Sequence, residues 1–147
     1  MMADPEVTRF LGDGRPLDRA DAWRQLALLI GHWELRGFGL WAVEERASGH
    51  FIGRIGCHEP EGWPGFELGY VLARQAWGRG LAREASAAAL DFAHRSLGRD
   101  TIISLIRPNN RASIAVAEHL GARRTGGVEF YGAPTEVYTY PTQWVRP

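Results

Sequence analysis

Residues 66–97, FELGYVLARQAWGRGLAREASAAALDFAHRSL, constrain the fold more than any other stretch. They read as a short apolar strand, a turn with two glycines, and a long amphipathic helix running to about Leu97. The turn is Gln75-Ala76-Trp77-Gly78-Arg79-Gly80. A helix start leaves about four backbone N–H groups without intrahelical partners, and the macrodipole adds about half a positive charge there. Glycines at that point let the backbone approach an anion with no Cβ in between. The stretch is a candidate pyrophosphate cradle, and a plain strand-to-helix turn is the alternative. It matches neither GxGxxG, whose third glycine is missing, nor GxxxxGK[ST] with its lysine.

The 147 residues suit one domain, 1–147, with one core. Seventeen basic residues balance seventeen acidic ones, so no overall positive field draws in a nucleic acid. The single cysteine, Cys57, excludes an internal disulfide and fits a reducing cytoplasm. Lying among Phe51, Ile55 and Gly56, it reads as packing. The N-terminus lacks the basic and apolar regions of a signal peptide, and no apolar run of ~18 residues would cross a bilayer. These features point to a cytoplasmic protein without a membrane partner. The five histidines lack H-x-x-x-H or H-E-x-x-H spacing, so no metal site is expected.

Around that centre the chain alternates helices and strands. Pro5 to Leu11 suits one or two helical turns, and Asp18 then reads as an N-cap. Trp23, Leu26, Ala27, Ile30 and Trp33 recur at helical spacing and mark one apolar face. Phe38–Glu45 and Phe51–His58 form a hairpin, followed by the turn-rich EPEGWPG loop and the strand Phe66–Leu72. In the long helix, Leu81, Ala85, Ala89, Phe92 and Ser96 line one face with Ala88 and Ala93 beside it, and Gly98 ends it. Thr101–Ile106 reads as a buried strand. Asn109 or Asn110 then caps a helix to about Leu120, and strands near Thr125–Tyr131 and Thr135–Tyr140 bend at Gly132-Ala133-Pro134. The pattern predicts an α/β architecture, a mixed sheet with helices on both faces.

Placed after Glu67-Leu68-Gly69-Tyr70-Val71-Leu72, the Q-x-x-G-x-G turn resembles motif A of the GNAT superfamily of acetyl-CoA-dependent N-acetyltransferases. In that motif [QR]-x-x-G-x-[GA] holds the coenzyme A pyrophosphate. The run ELGYVL…WGRGLAREA is similar to the branch containing the ribosomal-protein N-terminal acetyltransferases and their small-molecule relatives. Asn110-Arg111-Ala112-Ser113 with Ala117-Glu118-His119-Leu120-Gly121-Ala122 resembles N-x-x-S-x-x-x-x-E-K-L-G-F, departing from it at His119 and Ala122. The likeness covers about residues 4–140. Members normally begin with a further strand carrying Leu-x-Leu-Arg, and this chain starts downstream of it. Either the start is truncated or the sheet lacks its first edge strand, and the latter leaves an exposed edge open to homodimer pairing.

The resemblance implies direct transfer of acetyl from acetyl-CoA to a primary amine, a protein N-terminus or a small molecule, within a ternary complex. A V-shaped splay of the sheet would receive the pantetheine arm on the main chains of Val71 and Ala73. The pyrophosphate would lie on the amides of Ala76, Trp77, Gly78, Arg79, Gly80 and Leu81, with Arg74, Arg79 and Arg83 as phosphate partners. Asn110 would bond the pantetheine, and Ser113 would lie near the sulfur as a proton donor, with Tyr131 as its rival. An acyl-CoA-binding module of the same fold that does not turn over remains the alternative.

Alternation puts Glu67, Gly69 and Val71 on one strand face, so the carboxylate has a glycine beside it and room for a ligand. Partial burial would raise its pKa toward a useful general-base value. On the residues alone it is equally a solvated sheet residue or a partner of Arg54. The resemblance assigns it to the acceptor amine. Trp33, Trp41 and Trp63 are candidates for an acceptor pocket, and Glu59 and Glu61 for attracting a cationic amine.

Overall fold

The computed structural model describes residues 1–144. Its elements are α1 (Pro5–Thr8), α2 (Arg19–Arg36), β1 (Leu40–Glu45), β2 (His50–His58), β3 (Glu67–Leu72), α3 (Leu81–Arg95), β4 (Ile103–Ile106), α4 (Arg111–His119), β5 (Arg123–Phe130) and β6 (Ala133–Thr139). The six strands form one mixed sheet in the order β1-β2-β3-β4-β6-β5. Its core joins Ile55, Cys57 and Leu68 of the sheet to Leu90 of α3 and Ala117 of α4. Cys57 is fully buried there, as expected of a packing residue. No described helix is long and apolar enough to cross a membrane.

The β5–β6 bend lies one step earlier than the expected Gly132-Ala133-Pro134. Tyr131 and Gly132 carry φ of 49° and 67°, and Ala133 and Pro134 already belong to β6. Two consecutive left-handed residues match the right-handed twist of the flanking strands.

The two long helices depart from their sequence patterns in different ways. On α2 the face that meets the protein is Ala22, Gln25, Leu29 and His32, while Trp23 and Ile30 remain 70% and 58% exposed. Burial on α3 centres on Ser86, Ala87, Ala89, Leu90 and Ala93, and Ala88 and Ser96 face outward. Small side chains on that line let the helix lie close to the sheet, which outweighs the larger residues at its flank.

The feature that positions the site lies between β3 and β4. These parallel strands share one paired position, Glu67 with Ile103. There the Ile103 N–H donates to Phe66 O at 3.0 Å. One residue on, the Ser104 hydroxyl donates to Leu68 O at 2.7 Å and sits 3.0 Å from the Tyr140 hydroxyl. Beyond that point β3 follows β2 up to Leu72 while β4 follows β6, so the sheet opens as a V.

Candidate active site

Two cavities meet in the V. One, of about 420 Å³, lies over the β2–β3 face and includes Arg54, His58, Trp63 and Glu67. The other, of about 480 Å³, runs past Trp77, Gly78, Gly80 and Arg83 at the start of α3. Phe10, Leu11, Tyr70, Val71, Asn110 and Ser113 line both, so the cavities join where β3 faces α4.

The second cavity is built from backbone. Gly78 and Gly80 carry φ of 71° and 78°, a left-handed conformation that side chains with a Cβ resist. Nothing lies within 4 Å of a Cβ at Gly78, and one at Gly80 would meet only Arg83 Nη2, at 3.6 Å. The Glu84 N–H is bonded to Gly80 O at 3.1 Å. The N–H groups of Leu81, Ala82 and Arg83 therefore precede the helical ladder and remain open to an anion.

Several expected contacts move. The Ala76 and Trp77 N–H groups are spent in a 3₁₀ turn, donating to Ala73 O at 2.9 Å and Arg74 O at 3.1 Å. The candidate cradle is thus narrowed to residues 78–83. Val71 and Ala73 are also corrected. The Ala73 N–H donates to Ile52 O at 2.8 Å, which makes residues 73 and 52 a hydrogen-bonded pair. Antiparallel alternation then turns Val71, opposite Arg54, toward β2 as well. The main chains of Tyr70 and Leu72 face the opening instead, where Leu72 O accepts from the Trp77 indole at 2.8 Å. Arg74 holds Asp4 through Nε at 3.0 Å and Nη2 at 2.5 Å, and Arg79 is paired with Glu45. Arg83 and Arg9 line the cavity; Arg9 lies 4.0 Å from Glu6, and Arg83 Nη1 is 3.5 Å from His119 Nδ1.

The first cavity is built from side chains. Glu67 Oε2 accepts from the Trp63 indole at 2.7 Å, and Oε1 accepts from the Leu105 N–H at 3.3 Å. Burial outweighs those two bonds and pushes the carboxyl up to about 7. Glu67 does not pair with Arg54, whose Nη1 donates to Gln25 Oε1 at 2.8 Å. His58 stands opposite Glu67 in the β2–β3 register and stacks on His32 at 4.9 Å. Burial, with His32 and Arg54 nearby, lowers His58 to about 4, so it is neutral at physiological pH. Its Nδ1 is buried with no hydrogen-bond partner. Trp63, Phe130 and Tyr131 form an aromatic wall through edge contacts.

Asn110 caps α4, its Oδ1 accepting from the Ser113 N–H at 3.2 Å. Ser113 stands at the junction of the cavities, whereas Tyr131 belongs to the wall of the first alone. Of the three candidate tryptophans, only Trp63 lines the cavity; Trp33 and Trp41 meet edge to face, and Trp41 continues to Phe92. Glu59 and Glu61 face Arg99 and Arg36 instead.

Sequence reasoning passed over Tyr70 and His58. Tyr70 spans the V, donating its hydroxyl to Ser113 O at 2.9 Å. Burial raises it well above 10, keeping that proton in place. Strand alternation through Arg54, Gly56 and His58 was the available signal for His58, but only the register sets it opposite Glu67.

Residues 1–123 match the acetyltransferase (GNAT) domain family. YkkB of Bacillus subtilis (strain 168) is 36% identical over 104 residues, 69% of this chain and 60% of YkkB, so the match spans less than two-thirds of that relative. An acetyltransferase from Agrobacterium tumefaciens str. C58 is 33% identical with a TM-score of 0.83, covering 95% of this chain and 80% of that one. The ribosomal-protein-S5-alanine acetyltransferase of Vibrio fischeri superposes at 0.68 over 90% of this chain and 75% of its own; at 18% identity that likeness carries the fold alone. The split sheet, the glycine-capped helix and the domain match agree: this chain belongs to the GNAT acetyltransferase family.

Proposed function

We propose that the protein is an N-acetyltransferase moving acetyl from acetyl-CoA directly to a primary amine, both substrates being bound together. The observation that carries this reading is the junction of two cavities, one ending in open helix amides and the other in a carboxyl poised near neutrality.

The residues present fit the coenzyme. Gly78 and Gly80 leave room that a Cβ would fill, the first amides of α3 stand clear, and Arg83 supplies a cation for phosphate. The Tyr70 main chain and the Leu72 N–H offer strand-like partners to the pantetheine arm, and Asn110 lines its path. When bound, acetyl-CoA supplies a thioester-activated acetyl group.

Glu67 takes a proton from the acceptor ammonium, directly or through one water. A carboxyl near 7 is both partly ionised and sufficiently basic at neutral pH. The Trp63 and Leu105 bonds hold it in one orientation. Ser113 keeps a hydroxyl proton at the junction, where the departing sulfur would require one. Tyr131, in the outer wall, fits acceptor contact better.

Coenzyme release with an amine panel, beside acetyl-CoA titration, tests this. Glu67→Gln is expected to lower kcat by about 10²–10⁴-fold while leaving acetyl-CoA affinity near wild type. Unchanged turnover would remove the assigned base, and acetyl-CoA binding without release for any amine would favour a sensor module.

A further inference from the structure

We infer that the acceptor amine also carries a carboxylate, held by Arg54 and Gln25 in the first cavity at a distance from Glu67. This rests on the assignment of that cavity to the acceptor.

The cavity's charges lead there. Glu67 is its only carboxylate among the described residues, against the guanidinium groups of Arg24, Arg54 and Arg107. Arg24 is neutralised by Asp21 at 2.6 Å. Arg107 is filled by oxygens: its Nη1 donates to Phe130 O at 2.8 Å, Ala133 O at 2.7 Å and Thr135 Oγ1 at 2.7 Å, and its Nη2 donates to Gly12 O at 2.7 Å.

Arg54 differs from both. Like Arg107 it has no carboxylate within ion-pair distance among the described residues, but unlike Arg107 it makes a single side-chain hydrogen bond, to Gln25. Its Nε is buried without a partner. A largely desolvated cation with donors to spare is costly unless an anion completes it. Because Gln25 Oε1 already accepts from Arg54, the amide NH₂ is left to donate alongside. A guanidinium and an amide donor side by side suit the two oxygens of a carboxylate.

The same inventory disfavours a polyamine, whose second ammonium would meet arginines and a neutral imidazole. It also constrains length. Arg54 stands opposite Val71 and His58 opposite Glu67, four residues apart on one strand face. At ~3.3 Å per residue that is ~13 Å between backbone positions, with Gly69 between them in the same cavity. Amine and carboxylate should therefore be separated by several bonds.

The test titrates ω-amino acids of increasing chain length, their methyl esters and matched diamines into protein loaded with coenzyme A, and measures coenzyme release with the same panel. A best-fitting acid is expected to bind at least about tenfold tighter than its ester, equivalent to 1.4 kcal/mol. Arg54→Met should bring acid and ester to the same level, and Arg54→Lys should restore part of the difference and serve where the Met variant is unstable. Esters or diamines binding as well as acids, binding by none of the panel, or an acid preference surviving in Arg54→Met would each overturn the inference. Release with esters or diamines but no preference for acids leaves acetyl transfer standing and removes the carboxylate. An Arg54-dependent acid preference without release for any amine does the reverse.

Discussion

The two halves of the site are made of different material. The side proposed for the coenzyme is almost all backbone: left-handed Gly78 and Gly80, the first N–H groups of α3, and the Tyr70 main chain and Leu72 N–H along the opening. The side proposed for the acceptor is almost all side chain: Glu67, His58 and Arg54 on one sheet face, closed by Trp63, Phe130 and Tyr131. Backbone recognition requires a fixed spacing of a few residues within one turn. Side-chain recognition takes one residue from each of several elements, so the acceptor half can change chemistry while the coenzyme half keeps its motif.

That contrast predicts which perturbations act where. The largest effect is expected from pH. Turnover should fall about tenfold for each unit below about 7, as Glu67 becomes protonated, while acetyl-CoA affinity stays level over the same range. Stability runs the other way. A carboxyl raised from 4.5 to about 7 in the folded state adds stability that is fully present below 4.5 and lost as pH rises through 7. Glu67→Gln should flatten both curves, and a rate inflection surviving in that variant would place the base elsewhere.

Next in size, Gly80→Asp sets a side chain and a negative charge at a φ of 78°, and should weaken acetyl-CoA binding by about tenfold or more. Gly80→Ala separates the backbone part from the charge. An affinity unmoved in both would mean that the anion lies elsewhere. Smallest is Tyr70→Phe, which removes the hydroxyl bond to Ser113 O. A loss of about 1 kcal/mol, or ~3 °C in Tm, should appear in thermal unfolding; no change would show that the ring alone holds the junction.

The halves also differ in how far they could be read beforehand. Gly78, Gly80 and Asn110 follow from spacing and capping, both of which are local. Glu67 follows from alternation next to Gly69. Which main-chain groups are free does not, because it depends on pairing parity. Ile52 takes the Ala73 N–H, a bond visible only once β2 and β3 are in register. Arg74 and Arg79 were lost to Asp4 and Glu45, partners 70 and 34 residues away. On α2 periodicity located the helix but not its buried side. The polar line through Gln25 and His32 faces the protein because Arg54 bonds Gln25 and the Glu59 N–H donates to His32 Nε2 at 2.9 Å.

The Ser104 hydroxyl closes the V at its apex by occupying the Leu68 carbonyl, and Tyr140, just past β6, backs it. That rivet stops β3 and β4 from zipping together, since the groove's narrow end is fastened by a side chain rather than by a continuing ladder. Ligand entry then requires no strands to be prised apart, and association should proceed as simple docking into a standing groove, a single fast phase proportional to coenzyme concentration.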